Sequence, residues 1–298
     1  MKNVRLSVVV PVAKGGILLC LESLKKQKEK IEIIIESGSN PSSNRNKGIV
    51  KAKGEFVAFI NAHSILSMQW SSKVINFFIK NPEIDIVGGP QITSPDENNF
   101  GKICGYALSS PFGAGGVYKR YYGKKTIFNA DESYLTSANL ICRKKVFEKV
   151  RFDESIYPGE DPKFISDAKS AGFKIAYSPE IVVYNKRREN LKLLTKQIFD
   201  YGKTRPKKEG ISQTIKKPYF VIPSLFLIYL LFLPTLLILN KLSLIPLFLY
   251  LILLVIFSFY ESVKNKDFLA LILLPIIFLV IHLSYGGGFL YGLLIKKL

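Results

Sequence analysis

The chain has only three cysteines, Cys20, Cys104 and Cys142, and they lie far apart. That spacing matches neither a zinc site nor a disulfide framework, and it suits a reducing compartment. No secretory leader is read at the N-terminus either. The run Val8–Val10 is short, Pro11 ends it, Lys14 interrupts the next stretch, and no small-residue cleavage site appears. The first domain is therefore expected to stay in the cytoplasm. Internal repeats and low-complexity tracts are absent. Acidic residues are scarce, 23 against 42 Lys and Arg, so the formal net charge is +19. A charge of that size calls for an anionic partner, either nucleic acid or lipid headgroups.

Long apolar runs, by contrast, are plentiful and confined to one end. Residues 1 to about 217 have the mixed composition of one α/β domain, long enough to bury a sizeable core. Beyond that point lie the runs Tyr219–Leu239, Leu242–Tyr260 and Phe268–Leu283, then Tyr285, three glycines and a further apolar stretch to Ile295. Uncharged runs near 18 residues read as membrane-spanning helices. The chain thus divides into a domain over 1–205, a basic juxtamembrane linker over 206–217 and about three spans over 218–298. Between Gly202 and Lys217 stand Lys203, Arg205, Lys207, Lys208, Lys216 and Lys217 against Glu209 alone. Next to a span, such a cluster is better matched to anionic headgroups than to nucleic acid, and it places this side in the cytoplasm. The expected setting is the plasma membrane, multi-pass. Gly286–Gly288 could let the last segment lie along the interface or re-enter, and Lys296 and Lys297 favour the cytoplasmic side.

Within the first part, Ile31–His63 stands out. Ile31–Ile35 reads as a strand, and Glu36 follows where it would stop. Asn40 and Pro41 form a helix cap and first-turn pair. The helix is expected to reach about Lys53 and end at Gly54, and Glu55–Ile60 reads as a second strand. Strand, helix, strand in about thirty residues is a βαβ unit, whose ligands sit beyond the carboxyl ends of the strands. Glu36 and the Asn61-Ala62-His63 corner fall at such ends. A packed core needs no carboxylate, amide and imidazole there, so this is a candidate site.

Arg5–Val10 is the first strand, a helix is expected from about Trp70 to Lys80, and Ile84–Val87 is a further strand. Four strands alternating with helices predict a parallel, doubly wound sheet. From Gln91 to Asp131 the pattern lapses, around Ser109–Gly116 and the basic residues Lys119, Arg120, Lys124 and Lys125. Glycines there allow close backbone approach to a ligand, with basic residues to meet phosphate; a solvated surface excursion is the other reading. Tyr134–Arg143 reads as a strand. Asp161 and Pro162 are expected to cap and open a helix that Gly172 ends, and Leu191–Tyr201 is amphipathic.

In this order the pieces resemble inverting nucleotide-sugar glycosyltransferases of family 2. The segments are SVVVPV at 7–12, IIIESGS at 33–39, RNKGIVKAKGEFVAFINAH at 45–63 and GED at 159–161. The chain is similar to the membrane-anchored, succinoglycan-biosynthesis-type branch at VGGP (87–90), SSPFGAGG (109–116), VFEKVRFDES (146–155) and AGFKIAYSPEIVVY (171–184). The resemblance implies a GT-A fold, an α/β Rossmann-like nucleotide-diphospho-sugar transferase domain, followed here by transmembrane helices. It implies that Pro11, Val12 and Glu36 line a nucleoside pocket, Glu36 standing where relatives usually carry Asp. Arg45 falls in the family's nucleotide-facing helix, though a solvated helix surface accounts for it equally well. Asn61, Ala62 and His63 occupy the Asp-x-Asp position, where the last residue helps hold Mg²⁺ or Mn²⁺ on the donor diphosphate. Imidazole suits Mn²⁺ better than Mg²⁺, whereas Asn61 brings no charge; a ligand-free strand-end residue is the other account of His63.

By the same resemblance Glu160 and Asp161 match the family's acidic pair. Asp161 is nominated as general base for the acceptor hydroxyl and Glu160 as an orienting group. Lys119 and Arg120 would serve the diphosphate or the acceptor. The implied reaction moves a sugar from a nucleotide-sugar, a UDP-sugar, to an isoprenoid-lipid-linked saccharide in surface polysaccharide or glycan synthesis. A polyprenyl-phosphate monosaccharide synthase is the alternative, and a non-catalytic membrane scaffold of the same fold a third. His282, in the third apolar run, is expected to be a helix–helix hydrogen-bond partner or an interfacial residue.

Overall fold

The computed structural model describes residues 4–208 and 214–295. Lys296 and Lys297, and residues 209–213 of the basic linker, lie outside the described residues. The chain forms two compact units: residues up to Asp96 with Lys119–Lys186, and Glu97–Tyr118 with residues from Arg187 on.

The first unit is built on a seven-stranded sheet. Its strands, in spatial order, are β2 (Ile31–Ser37), β1 (Leu6–Val12), β3 (Phe56–Ile60), β8 (Asn139–Arg143), β5 (Ile86–Gly88), β9 (Ile175–Tyr177) and β7 (Ile127–Phe128). β1 pairs in parallel with both β2 and β3, as the βαβ reading requires. β8 departs from the expected all-parallel order, running antiparallel to both β3 and β5. It is also shorter than the run Tyr134–Arg143 suggests. The reason is its connection: β8 is reached through a long irregular segment, not a helical crossover, and only the crossover imposes parallel direction. A second sheet joins β4 (Ser64–Leu66), β10 (Val183–Asn185) and β6 (Gln91–Thr93).

Alternation along the strands feeds two cores. Leu6, Val8 and Val10 of β1 pack with Phe56, Ala58 and Ile60 of β3 and with Trp70, Val74 and Phe78 of α3 (Trp70–Lys80). Val9, Val57 and Phe59 face the other way, against Ile49 of α2 (Pro41–Lys51) and Phe164 and Ile165 of α6 (Glu160–Ser170). Burial on both faces is why β3 reads as a continuous apolar run. In α2 the Asn40 side chain accepts a hydrogen bond from the Ser43 N–H (3.1 Å) and Pro41 takes the first turn. The helix stops at Lys51, with Ala52 already extended, short of the expected end at Gly54.

The second unit collects α4 (Asn99–Leu108), the short α5 (Pro111–Ala114), α7 (Leu191–Lys208) and three apolar helices, Ile222–Leu239, Ile245–Asn265 and Leu269–Ile295. Each of the three is long and apolar enough to cross a membrane. The third is the centre of the unit: a third of its most apolar stretch is buried, against 6% and 11% for the others. It also runs unbroken through Gly286–Gly288, so the glycines do not break or redirect the segment. Their use is close packing. A Cβ on Gly288 would stand 2.1 Å from the Phe199 carbonyl oxygen of α7, and one on Gly292 2.2 Å from that of Lys203. Gly202 of α7 returns the contact, 2.2 Å from the Tyr285 oxygen. Small residues facing one another let helix backbones touch where lipid offers no hydrophobic drive. Amphipathic α7, longer than its expected end at Tyr201, is therefore seated on the third helix. Its basic residues are not all directed at headgroups either. Arg205 is buried, with its guanidinium 3.5 Å from the centre of the Phe220 ring.

Gly288→Leu should consequently lower the thermal midpoint in detergent, by overpacking worth about 1–3 kcal/mol. Gly287→Ala, whose added carbon would meet nothing nearer than 3.7 Å, should leave it unchanged. Equal midpoints for the two variants would refute the close-packing role.

Candidate active site

At the carboxyl edge of the first sheet, Pro11 of β1 stands level with Glu36 of β2, and Val9 with Phe59 of β3. Glu36, Pro11, Val12 and Asn61 therefore line up across three adjacent strands. Asn44 of α2 closes this edge: its amide nitrogen donates to the carbonyl oxygens of Val12 (3.3 Å) and Gly38 (3.2 Å). The Gly38 N–H donates to the Val12 oxygen as well (3.0 Å). Glu36 is buried and ion-paired, its Oε1 2.6 Å from Lys51 Nζ. Asn44 and Lys51 were not legible as site residues, because within the helix they look like an ordinary polar face.

The Asn61-Ala62-His63 corner is pinned by its backbone. The Asn61 oxygen accepts from the Ser64 N–H and the Ala62 oxygen from the Cys20 N–H, both at 3.0 Å. Behind it runs a buried polar chain that sequence reading missed: Ser64 Oγ bonds Asn185, whose amide donates to Gln91 Oε1 (2.8 Å), and Gln91 bonds Thr136. Asn61 and Ala62 are half-buried and His63 is exposed. Among the described residues no three His, Cys, Asp or Glu side chains converge on a metal position. One imidazole with a neighbouring amide does not make a resident metal site. It fits only a cation whose remaining ligands arrive with an anionic substrate.

The acid pair sits at the start of α6, in a first turn that begins two residues earlier than its sequence suggests. Gly159, at φ 120°, is the cap residue, so Glu160 and Asp161 are both inside the first turn. Asp161 is therefore not the cap. Only glycine adopts that φ at ease, which starts the helix earlier, and Pro162 is harmless in a first turn whose N–H groups lack helical partners. Glu160 is buried, with Oε1 2.9 Å from Arg45 Nη1 and Oε2 accepting from the Gly159 N–H at 2.9 Å. Asp161 Oδ1 lies 3.8 Å from the same Arg45 nitrogen, is itself buried, and has no hydrogen-bond partner among the described residues. Burial pushes the Glu160 carboxyl above the usual range; the adjacent Asp161 charge adds to this and Arg45 opposes it. Arg45 is 4% exposed, so it is not a solvated helix residue.

The basic loop is engaged with its own surroundings. Arg120 Nε donates to the Glu132 carbonyl oxygen (2.9 Å), and Lys119 Nζ stands 4.8 Å from the centre of the Tyr134 ring. The preceding glycines serve packing inside the second unit. A Cβ on Gly113 would lie 2.1 Å from the Ala107 oxygen, and one on Gly115 2.7 Å from Tyr219. Phe112 is enclosed by Phe257 and Phe278 at 5.0 and 5.1 Å. His282 bonds the Phe112 carbonyl oxygen (2.8 Å) and Tyr250 (2.9 Å), linking the second and third apolar helices. The 109–116 stretch is thus packed within its own unit and is not a solvated excursion in this structure.

The candidate site thus consists of a βαβ strand edge and a carboxylate pair at the start of a later helix. The family model described as Glycosyl transferase family 2 matches residues 20–151. Over 253 residues the chain is 28% identical to a dolichyl N-acetyl-alpha-D-glucosaminyl phosphate 3-beta-D-2,3-diacetamido-2,3-dideoxy-beta-D-glucuronosyltransferase of Methanococcus voltae, covering 84% of this chain and 74% of the relative. It is 24% identical over 151 residues to the minor teichoic acid biosynthesis protein GgaB of Bacillus subtilis, half of this chain but 15% of that one. Among solved structures, S. aureus TarS 1-349 in complex with UDP-GlcNAc matches at a TM-score of 0.46 and 15% identity, covering 66% of this chain and 67% of that one. Residues 20–151 are thus similar to the family 2 glycosyltransferases, and among the described residues the chain carries three helices long and apolar enough to cross a membrane.

Proposed function

We propose that this enzyme transfers a sugar, with inversion, from a UDP-sugar to a hydroxyl of a lipid-linked saccharide during surface glycan synthesis. The observation that carries this reading is Asp161. A carboxylate whose side chain is 21% exposed, in the first turn of a helix and beside an already paired Glu160, is suited to accept a hydroxyl proton. In the proposed step Asp161 takes the proton of the acceptor hydroxyl as its oxygen bonds the anomeric carbon. The bond from that carbon to the diphosphate oxygen breaks, and the nucleoside diphosphate leaves with the electron pair. Pro11, Val12 and Glu36 would hold the nucleoside, and Asn61 and Ala62 the ribose and diphosphate. A divalent cation bound with the donor would have His63 as its protein ligand and would offset the diphosphate charge. Lys119 and Arg120 would lend further positive charge from the loop. The lipid-linked acceptor is supported by the helices and by the name of the Methanococcus relative.

Membranes containing the enzyme, incubated with a panel of labelled UDP- and GDP-sugars, should yield labelled lipid-linked saccharide. A single labelled sugar on a lipid monophosphate would instead assign a polyprenyl-phosphate monosaccharide synthase, and no transfer from any donor would sink the enzymatic reading. In the same membranes Asp161→Asn should lower the transfer rate about 10²- to 10⁴-fold with donor affinity retained. A rate within a few-fold of wild type would place the base elsewhere.

Transfer should require Mn²⁺ or Mg²⁺, with Mn²⁺ at least as effective, and Asn61→Asp should improve the use of Mg²⁺. Full activity in excess chelator would remove His63 from any metal role.

The catalytic domain is proposed to face the cytoplasm. A cysteine at Lys207 should then react with an impermeant thiol reagent only in opened cells, and one at Lys241 in intact cells. The reverse pattern would invert the topology.

A further inference from the structure

We infer that Arg45 is a positioning residue for the acid pair, not a ligand of the donor diphosphate: it holds Glu160 in place and leaves Asp161 as the carboxylate that faces the acceptor. The inference rests on the proposed role of Asp161 as base.

Four observations lead to it. The guanidinium is almost wholly buried and already committed, with Nη1 2.9 Å from Glu160 Oε1 and 3.8 Å from Asp161 Oδ1. Its Cζ stands 5.2 Å from the centre of the Phe152 ring, and Phe152 stacks on Phe164 of α6 at 4.4 Å. The segment bearing Phe152 is fastened to the same helix as Arg45. Asn46 donates to the Phe152 oxygen (2.9 Å) and accepts from its N–H (3.1 Å), and Asn40 donates to the Glu154 oxygen (2.7 Å). Finally, Glu160 takes its other hydrogen bond from the Gly159 N–H, so both its oxygens are used. Swinging Arg45 toward a diphosphate would strand a buried carboxylate and uncover an aromatic stack. Breaking a buried pair in that way is strongly unfavourable.

The neighbouring charges leave Arg45 as the cation that acts on the pair. On α6 Lys163 is paired with Asp167 at 2.7 Å. In the preceding segment Asp153 is held by Ser155 and Glu154 by Asn46. On α2 Lys51 is paired with Glu36. Without Arg45 two adjacent carboxylates would face each other in a poorly solvated place, and one would take up a proton at neutral pH. Shared between the two carboxylates, that proton would leave Asp161 less available as base, while the strand edge held by Asn44 would be untouched.

Kinetics of Arg45→Met, Arg45→Lys, Arg45→Met/Glu160→Gln and Asp161→Asn test this, using as donor whichever labelled UDP-sugar the panel shows to be transferred. For Arg45→Met the expected result is kcat at pH 7 lowered at least about tenfold, donor KM within about threefold, and an acid limb moved up by about one pH unit. Adding Glu160→Gln should bring the acid limb back toward wild type, since one of the two facing charges is gone. Should Arg45→Met fail to fold, Arg45→Lys and the double variant carry the same two readouts. A donor KM raised about tenfold or more, with an unmoved acid limb and no rescue by Glu160→Gln, would return Arg45 to the diphosphate and overturn the inference. That failure is distinct from failure of the base assignment, in which Asp161→Asn itself stays active.

Discussion

Helix α2 carries the constraint on which the rest of the first unit depends. Consecutive residues of this one helix point to different parts of the site: Asn44 to the ends of β1 and β2, Arg45 to Glu160, and Asn46 to Phe152. A rigid helix of eleven residues thus sets the separation between the β1–β2 strand edge and the acid pair, although the pair lies more than a hundred residues further along the chain. Losing one partner of a buried ion pair such as Arg45–Glu160 typically costs about 3–5 kcal/mol. The cost comes from stranding a charge, so the pair specifies an arrangement more than it adds stability.

The antiparallel β8 follows from the same economy of space. A doubly wound sheet built only from crossovers would place a helix over each connection. Here the chain leaves β5, touches the far edge of the sheet as the short β7, and enters its middle as β8, between β3 and β5, only after an excursion over residues 89–138. Residues 97–118 of that excursion belong to the second unit, where α4 and Phe112 join an apolar cluster with Leu274, Ile277 and Phe278. The long loop is therefore structured by what it packs on, and its glycines are explained by steric closeness to neighbouring backbone and rings.

In the second unit, side-chain size decides the packing. The three apolar helices share one composition, yet only the third carries a run of glycines, and it is the one against which α7 packs. Bulk hydrophobicity cannot choose partners among helices that all resemble lipid; backbone approach and polar links such as Tyr250–His282–Phe112 can.

Local chemistry was enough to determine the βαβ unit, the Asn40–Pro41 helix start, the helix Trp70–Lys80 and the number of long apolar helices. Each depends on short-range signals: caps, period-two or helical spacing, and run length. The candidate residues Glu36, Asn61, His63 and Asp161 were legible too, as polar groups at element ends, whereas Glu160 was nominated only by the family resemblance. What only the tertiary structure decided involves partners distant in sequence. Nothing near Arg45 announces Glu160, and nothing near Gly288 announces Phe199. The direction of β8 depends on a connection without a repeating pattern, and the start of α6 on one glycine φ. Pairing of distant charges, backbone contact between helices and strand direction arise only when the chain is folded, because each is a relation between surfaces that no local window contains.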